Sequence, residues 1–505
     1  MRWQHRALLL HVCDCISIAE QVSIFAAPMA IPANRTKIIA TIGPASRSEL
    51  VIAEMIRAGL DVARINFSHS SHAEHQQTID LVRATNAKLN THVCLLGDLQ
   101  GPKLRIGQVR NGQILLKPGE RIFINEGDGI SSAEELFISY PRLTEEVRPG
   151  ERVLLDDGRL QLQVLSRSGH RLEALIIHGG PLTSRKGINF PESKLSVPAL
   201  SEKDKQDLLF AVANRLEWIA LSFVRNAYDV LQLKRHLQTH RSRSRVIAKI
   251  EKPEAIKNIS EIIHAADGIM VARGDLGVEM DLAVVPVLQK TIVQQCIQHA
   301  KPVIIATQMM ESMITQPSPT RAEANDVTNA VLDGADAVML SAETSSGAFP
   351  VEAVRIMRKI VEVAETVDTV YGKKKTTNPS SPTYISDEVC RQACLIADVL
   401  KAKAIVSTTH SGYTAFQLSS FRPRTPIFIF TDNQMLLNML NLLWGVRAFY
   451  YDRFTSTDDT IHDVNTLLRE MGFVKPKDLV INTASMPLHA RSRTNTIKVS
   501  RIDDR

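Results

Sequence analysis

The chain has 505 residues, of which 44% are hydrophobic and 23% charged. That is too long for one hydrophobic core and is the composition of an ordinary globular protein of two to four domains. A formal net charge of +6 suits acidic small molecules and does not argue for nucleic acid, and no run of 18 apolar residues exists to span a membrane. Six cysteines (Cys13, Cys15, Cys94, Cys296, Cys390 and Cys394) are too sparse for a disulfide framework and lack paired metal spacing, which points to a reducing, cytoplasmic setting.

The chain opens on MRWQHRALLLHVCDCISIAE, basic residues before a short apolar patch that His11 and Asp14 interrupt. No cleavage site follows, so residues 1–34 read as an N-terminal extension with Met29 as the expected start. From Thr36 onward, short apolar runs alternate with helical patterns. The strand candidates are KIIATIG (37–43), DVARINF (61–67), HVCLLGDL (92–99), WIALSFV (218–224), RVIAKIE (245–251), GIMVARG (268–274), PVIIATQ (302–308) and AVMLSAE (337–343). Helical stretches include 201–216, 282–300, 320–335 and 350–367; in the last, Val354, Met357 and Val361 form a stripe of helical period. Eight strand–helix units predict a (β/α)8 TIM barrel over 35–101 and 199–368.

One interval breaks the rhythm. Residues 102–198 carry RIFINEGDG, ERVLLDDGRLQLQVL and HRLEALIIHGG, strand and turn signals rich in glycine. They predict a small β-barrel domain inserted at the C-terminal, catalytic side of the barrel, where it can act as a lid. Residues 369–383 with Lys373, Lys374 and Lys375 read as a linker whose basic run is a solvated hinge. Residues 384–505 return to alternation (AKAIVS, PIFIFT, VRAFYY, DLVINTA, TIKVSRI) and predict a C-terminal α/β domain.

The polar residues collect at strand ends. Arg64, Asn66, Ser68 and His69 close the second strand; Asp98 closes the third, ahead of Lys103 and Arg105; Lys249 and Glu251 close the fifth; Arg273, Gly274 and Asp275 follow the sixth; Thr307 and Gln308 close the seventh. Lys249 and Glu251, two apart, share a face. Two carboxylates at neighbouring strand ends can hold a divalent cation, and a lysine beside it suits a phosphate or an enolate oxygen. Singly, a strand-end carboxylate or Thr307 is as well read as a cap; together they fall on one rim. A metal-dependent lyase or aldolase acting on enolates, and a non-catalytic sugar-phosphate sensor, compete with a phosphotransferase here. Farther on, Ser407, Thr408, Thr409, Ser411, Gly412 and Thr414 follow a strand and open a helix, which reads either as a phosphate site or as hydroxyl-rich capping.

KIIATIGPAS, AGLDVARINFSH, GDLQGPKLRIG, SRKGINFP, ALSEKDKQDL, LSFVRNAYDV, IAKIEKPEAI, IMVARGDLGVE, PVIIATQMMESM, PTRAEANDVTNAVLDGADAVMLSAETSSGAFPVEAV and SGYTA resemble pyruvate kinase of the bacterial type, in order, from about Ile31 to the C terminus. The resemblance implies the final step of glycolysis: phosphoryl transfer from phosphoenolpyruvate to ADP, giving ATP and, after protonation of the enol, pyruvate. It implies Mg2+ (with Mn2+ as a substitute) on Glu251 and Asp275, and Lys249 and Arg64 on the transferring group. It puts the substrate carboxylate on the backbone N–H groups of Gly274 and Asp275, and gives Thr307 a proton relay through water. Asn66, Ser68, His69, Arg105 and Lys186 match nucleotide-side positions, Lys186 from the lid. Asn66, Ser68, Asp98 and the carbonyl of Leu99 match the family's K+ pocket. Lys103 stands where many members carry Glu, and with Leu99 and Gln100 this is similar to the potassium-independent branch, so the ammonium is expected to replace K+ near Asp98. The resemblance further implies a homotetramer and a sugar-phosphate or nucleotide effector at 407–414. MPLHARSRTNTIKV aligns with the family's effector loop without its usual glycines, and its Arg491 and Arg493 meet a second phosphate or face water.

Overall fold

The computed structural model describes residues 34–486 and 493–503; the expected start at Met29 and the side chain of Arg491 lie outside the described residues. Eight parallel strands close in sequential order: β1 (Lys37–Thr41), β2 (Val62–Asn66), β3 (Cys94–Asp98), β4 (Trp218–Leu221), β5 (Arg245–Ile250), β6 (Gly268–Ala272), β7 (Val303–Ala306) and β8 (Ala337–Leu340), with β8 pairing back onto β1. All eight are strands where the sequence predicts them. β4 stops three residues early, because Phe223 turns at φ 54° and gives its N–H to Glu251 (2.7 Å). Helices Glu202–Ala213 and Arg321–Asp333 start on capping boxes built from Ser201 with Asp204 and Thr320 with Glu323.

Strand alternation sorts the side chains. Ile38, Ala63, Leu95, Ile219, Ala248, Ile269, Ile305 and Val338 pack in one core with the surrounding helices. Val62, Cys94, Leu96, Trp218, Ile247, Met270, Ile304 and Met339 pack in a second. The second set continues without a break into residues of the C-terminal domain, including Ile405, Phe416 and Leu440. Trp218 donates its indole N–H to the Met439 carbonyl (3.1 Å). The floor of the barrel is thus stoppered by the C-terminal domain, and its mouth is the end left for chemistry.

The inserted domain is a six-stranded sheet ordered Ile188–Asn189, Arg152–Leu155, Leu160–Ser168, Arg171–His178, Arg121–Glu126, Glu135–Ile138, with two two-stranded sheets beside it and a core of its own around Ile122, Val153, Leu162, Ala174 and Ile176. The C-terminal sheet is ordered Val446–Tyr450, Ile427–Thr431, Ala404–Thr408, Leu479–Ala484, Thr496–Arg501, with only the last strand antiparallel. No helix among the described residues is long and apolar enough to cross a membrane.

The basic run is not the solvated hinge expected of it. Lys373 donates to the Leu332 carbonyl (2.6 Å). Lys375 donates to Gln417 (2.8 Å) and Ser420 (2.6 Å) and lies over the Phe421 ring. Only Lys374 is exposed. Lysine spacing cannot report this, because the acceptors lie more than 40 residues away. Burial pushes Lys375 from 10.5 down to about 8, with Asp387 opposing. The fold therefore favours the neutral amine. Its cost is full below pH 8 and vanishes above the unfolded value, so stability rises with pH between 8 and 10.5 by up to about 3 kcal/mol. Lys375→Met is expected to lack this increment. Chemical denaturation of both proteins at pH 7.5 and pH 10 measures it, and equal pH dependence in the two would refute the assignment.

Candidate active site

The alternation that fills the barrel also builds its mouth. On β2, β3 and β5 the inward phase runs from Val62, Cys94 and Ile247 near the floor to Asn66, Asp98 and Glu251 at the top. Lys249 is the hub. Its Nζ lies 3.2 Å from Asp98 Oδ1 and 3.0 Å from Glu251 Oε1, and it donates to Ser222 Oγ (2.7 Å). Arg64 donates to Asp98 Oδ2 through Nε (2.8 Å) and to Thr41 Oγ1 through Nη1 (2.8 Å). All four charged residues are under 10% exposed.

Paired burial sets their charge states. Burial alone would lower Lys249, but Asp98 and Glu251 outweigh it and raise the ammonium above its ordinary range. Burial alone would raise Asp98, yet Lys249 and Arg64 hold it below the usual carboxylate range. Glu251 is raised, first by burial and then by the Asp275 charge, against the pull of Lys249. Glu251 and Asp275 therefore feel each other across the mouth. Glu251 is buried with the Lys249 ammonium 3.0 Å from its Oε1, and Asp275 is partly open. Two carboxylates whose charges oppose each other at one mouth are the hard oxygen donors that a divalent cation takes.

Thr307 is held in an uncommon conformation. Thr307 and Gln308 have φ 70° and 55°, and Arg273 Nη2 donates to both carbonyls (2.9 and 3.3 Å). Consecutive left-handed residues persist only where their surroundings over-determine them. The Thr307 hydroxyl accepts from the Gly274 N–H (2.7 Å) and donates to the Ala306 carbonyl (2.6 Å), so the Gly274 N–H expected for a carboxylate is already engaged.

The nucleotide-side residues are less tightly gathered. Asn66 and Ser68 form one turn, with Ser68 N–H on Asn66 Oδ1 (3.1 Å) and His69 N–H on the Asn66 carbonyl (3.3 Å). His69 is lowered by burial and then by the charges of Arg105, Arg64 and Lys103, which puts all four within electrostatic reach. Arg105 is exposed and holds the Arg185 carbonyl. Lys186 pairs with Asp156 of its own domain (2.6 Å). The Leu99 carbonyl accepts from Ser222 (2.8 Å). Lys103 is not placed as expected: it pairs with Asp275 (3.4 Å) and Asp157 (3.6 Å), while the ion pairs of Asp98 are with Arg64 and Lys249. Two partners went unread in the sequence, Ser222 and Thr41, because a hydroxyl at a strand end looks like a cap.

At the C-terminal loop, Thr409 accepts the Gly412 N–H (3.0 Å) and Thr414 bonds Thr494 (2.6 Å). Among the described residues, helix Tyr413–Ser420 has no side-chain cap and Ser407 Oγ is buried without a partner. Thr408 ends its strand beside Phe430. Arg245, at the start of β5, donates to the Ser411 carbonyl (3.1 Å) and stacks on Phe416. Arg493 donates to the Pro382 carbonyl rather than standing free.

Two family models match the chain, the pyruvate kinase barrel domain over residues 33–354 and the pyruvate kinase alpha/beta domain over 387–500. Pyruvate kinase 2 of Synechocystis sp. is 44% identical over 470 residues, 92% of this chain and 79% of that protein. The pyruvate kinase of Geobacillus stearothermophilus is 40% identical, covering 93% and 81%, and that of Clostridium perfringens 38% identical, covering 93% and 100%. The crystal structure of a pyruvate kinase from Cryptosporidium parvum superposes with a TM-score of 0.86 at 33% identity, covering 93% of this chain and 96% of that one.

Proposed function

The chain belongs to the pyruvate kinase family, the phosphotransferases that move the phosphoryl group of phosphoenolpyruvate to ADP, and we propose that Lys249, Arg64, Glu251, Asp275 and Thr307 carry that reaction in it. What supports this most is Lys249, one ammonium held between two buried carboxylates and beside Arg64. Phosphoryl transfer needs positioned positive charge more than covalent chemistry, because its loose transition state spreads charge over three oxygens. Lys249 and Arg64 supply that charge pre-oriented, in a site where neither has to be ordered at the moment of reaction. Members of the family are generally Mg2+-dependent; Glu251 and Asp275 are the residues that would hold Mg2+, or Mn2+ in its place, and the bound ion would supply further charge at the phosphoryl oxygens. The Gly274 and Asp275 N–H groups receive the substrate carboxylate, which takes the place of Thr307 on Gly274. That frees the Thr307 hydroxyl to pass a proton from water to the enolate carbon, a relay rather than a direct donation because an alcohol is a poor acid. Asn66, Ser68, His69, Arg105 and Lys186 bind the nucleotide, Lys186 after exchanging Asp156 for phosphate. Residues 407–414 take an effector phosphate, and the enzyme works as a cytoplasmic homotetramer. ADP-dependent formation of pyruvate, coupled to a dehydrogenase and abolished by chelation, tests the reaction; cleavage of an enolate substrate without ADP would replace it with lyase chemistry.

Lys103 bears on potassium. Its ammonium lies by the Asp275 carboxylate and not by Asp98, so a fixed positive charge stands on the metal side of the mouth and balances the site from there, in place of a monovalent cation at Asn66, Ser68, Asp98 and Leu99. Activity with an organic counter-ion should be a large share of that with potassium, and Lys103→Glu should create potassium dependence. A few percent of the potassium rate in wild type would sink this.

A further inference from the structure

Glu279 joins the inserted domain to the short helix that begins at the substrate side of the mouth. It is the last residue of helix Arg273–Glu279, whose first turn holds Gly274 and Asp275, and it is 4% exposed. Its Oε1 accepts two hydrogen bonds, from Asn189 Nδ2 at 2.6 Å and from Lys252 Nζ at 2.5 Å. Asn189 belongs to the inserted domain and pairs with Leu154, two residues before Asp156. Lys252 follows the candidate metal ligand Glu251 by one residue. Glu279 Oε2 is buried and has no hydrogen-bond partner among the described residues.

A buried carboxylate needs a counter-charge and donors. Lys252 supplies the charge from the barrel, the same body that carries Glu279. Asn189 supplies the second donor only when that domain lies against the barrel. The strand pair that presents Asn189 also leads into the Asp156–Asp157 turn, which pairs with Lys186 and Lys103. Seating Asn189 on Glu279 and bringing Lys186 and Asp157 to the mouth are therefore one movement. From Glu279 to Gly274 is less than two turns of helix, on the order of 8 Å, short enough to move as one piece.

We propose that Glu279 is a positioning residue that registers closure of the inserted domain at the substrate site: Asn189 latches onto it, and the helix it ends holds Gly274 and Asp275 in place for phosphoryl transfer. This rests on the kinase function proposed above, because closure over a nucleotide is what the latch would report. Sequence spacing alone does not show it, since Asn189, Lys252 and Glu279 are 63 and 27 residues apart, by numbering, and meet only through the fold.

Two measurements test it on the whole chain. Asn189→Ala should lower kcat/KM for ADP about tenfold, the scale of one hydrogen bond to a charged group, with KM for phosphoenolpyruvate changed less than twofold. Asn189→Asp, which sets a second carboxylate against Glu279, should lose more, and Asn189→Asp with Glu279→Gln, which exchanges donor and acceptor, should recover most of the loss. Hydrogen exchange of 152–189 in the free protein reads the same contact without turnover: faster in Asn189→Asp, restored in the double variant. Losses that simply add in the double variant, or unchanged exchange in Asn189→Asp, would overturn the latch. Failure of wild type to make pyruvate while exchange follows the pattern would instead remove the kinase function and the catalytic part of the latch, leaving a domain contact.

Discussion

Lys249→Met is expected to lower kcat about a thousandfold or more, the scale seen when a single charge stabiliser of a transferring group is removed. The size follows from position. Among the described residues Lys249 is the only cation within ion-pair distance of both Asp98 and Glu251, and Arg64, the other nearby cation, is tied to Asp98 and Thr41. A methionine fills the same volume without the charge, so no water-sized void complicates the comparison. It also leaves Glu251 buried with only the Phe223 N–H as a donor, and an uncompensated buried charge costs about 3–5 kcal/mol. Activity and folding are therefore read separately, kcat at a temperature where near-ultraviolet dichroism shows the variant native, and stability by denaturation. Adding Glu251→Gln to Lys249→Met should restore stability and leave kcat low. A single variant within tenfold of wild type would remove Lys249 from the chemistry.

What the chain discloses before folding is unequal across its length. The barrel strands are legible because burial on both sides demands runs such as KIIAT and VIIA, and because Val62, Arg64 and Asn66 keep one phase of alternation while passing from apolar floor to polar mouth. Lys249 and Glu251 are legible for the same reason: two-residue spacing fixes a shared face. Partners are another matter. Nothing near Lys103 says that it pairs with Asp275 and Asp157, one from the barrel and one from the inserted domain. Lys375 looks like any linker lysine until its acceptors fold over it. Thr307 shows its residue type, whereas its positive φ and its bond to Gly274 come from Arg273 gripping two carbonyls. Alternation and capping act over a few residues and leave a local trace; hydrogen bonds closed by tertiary packing leave none.

The barrel floor offers the other large effect. Arg422 is 1% exposed and Asp336 2%. Arg422 Nη2 donates to Asp336 Oδ2 (2.7 Å) and to the Gly334 carbonyl (2.8 Å), and Nη1 to the Ser419 carbonyl (2.8 Å), with the guanidinium over Trp444. Asp336 also accepts the N–H groups of Val303 (3.0 Å) and Trp444 (3.2 Å). One ion pair thus ties β7, the approach to β8 and the C-terminal domain together beneath the site. Arg422→Met is expected to cost about 3–5 kcal/mol, because Asp336 keeps its charge and loses its counter-ion in a place water does not reach. Arg422→Met with Asp336→Asn should cost less: the neutral amide needs no counter-ion and its oxygen still accepts one of the two N–H groups. The pair sits at the junction, so hydrogen exchange should quicken on both sides of it, in 334–340 and in 422–446. Quickening confined to the C-terminal side would mean that the barrel holds its floor alone and that the pair is only an anchor for the domain below; protection equal to wild type on both sides would mean that the apolar stopper suffices without it.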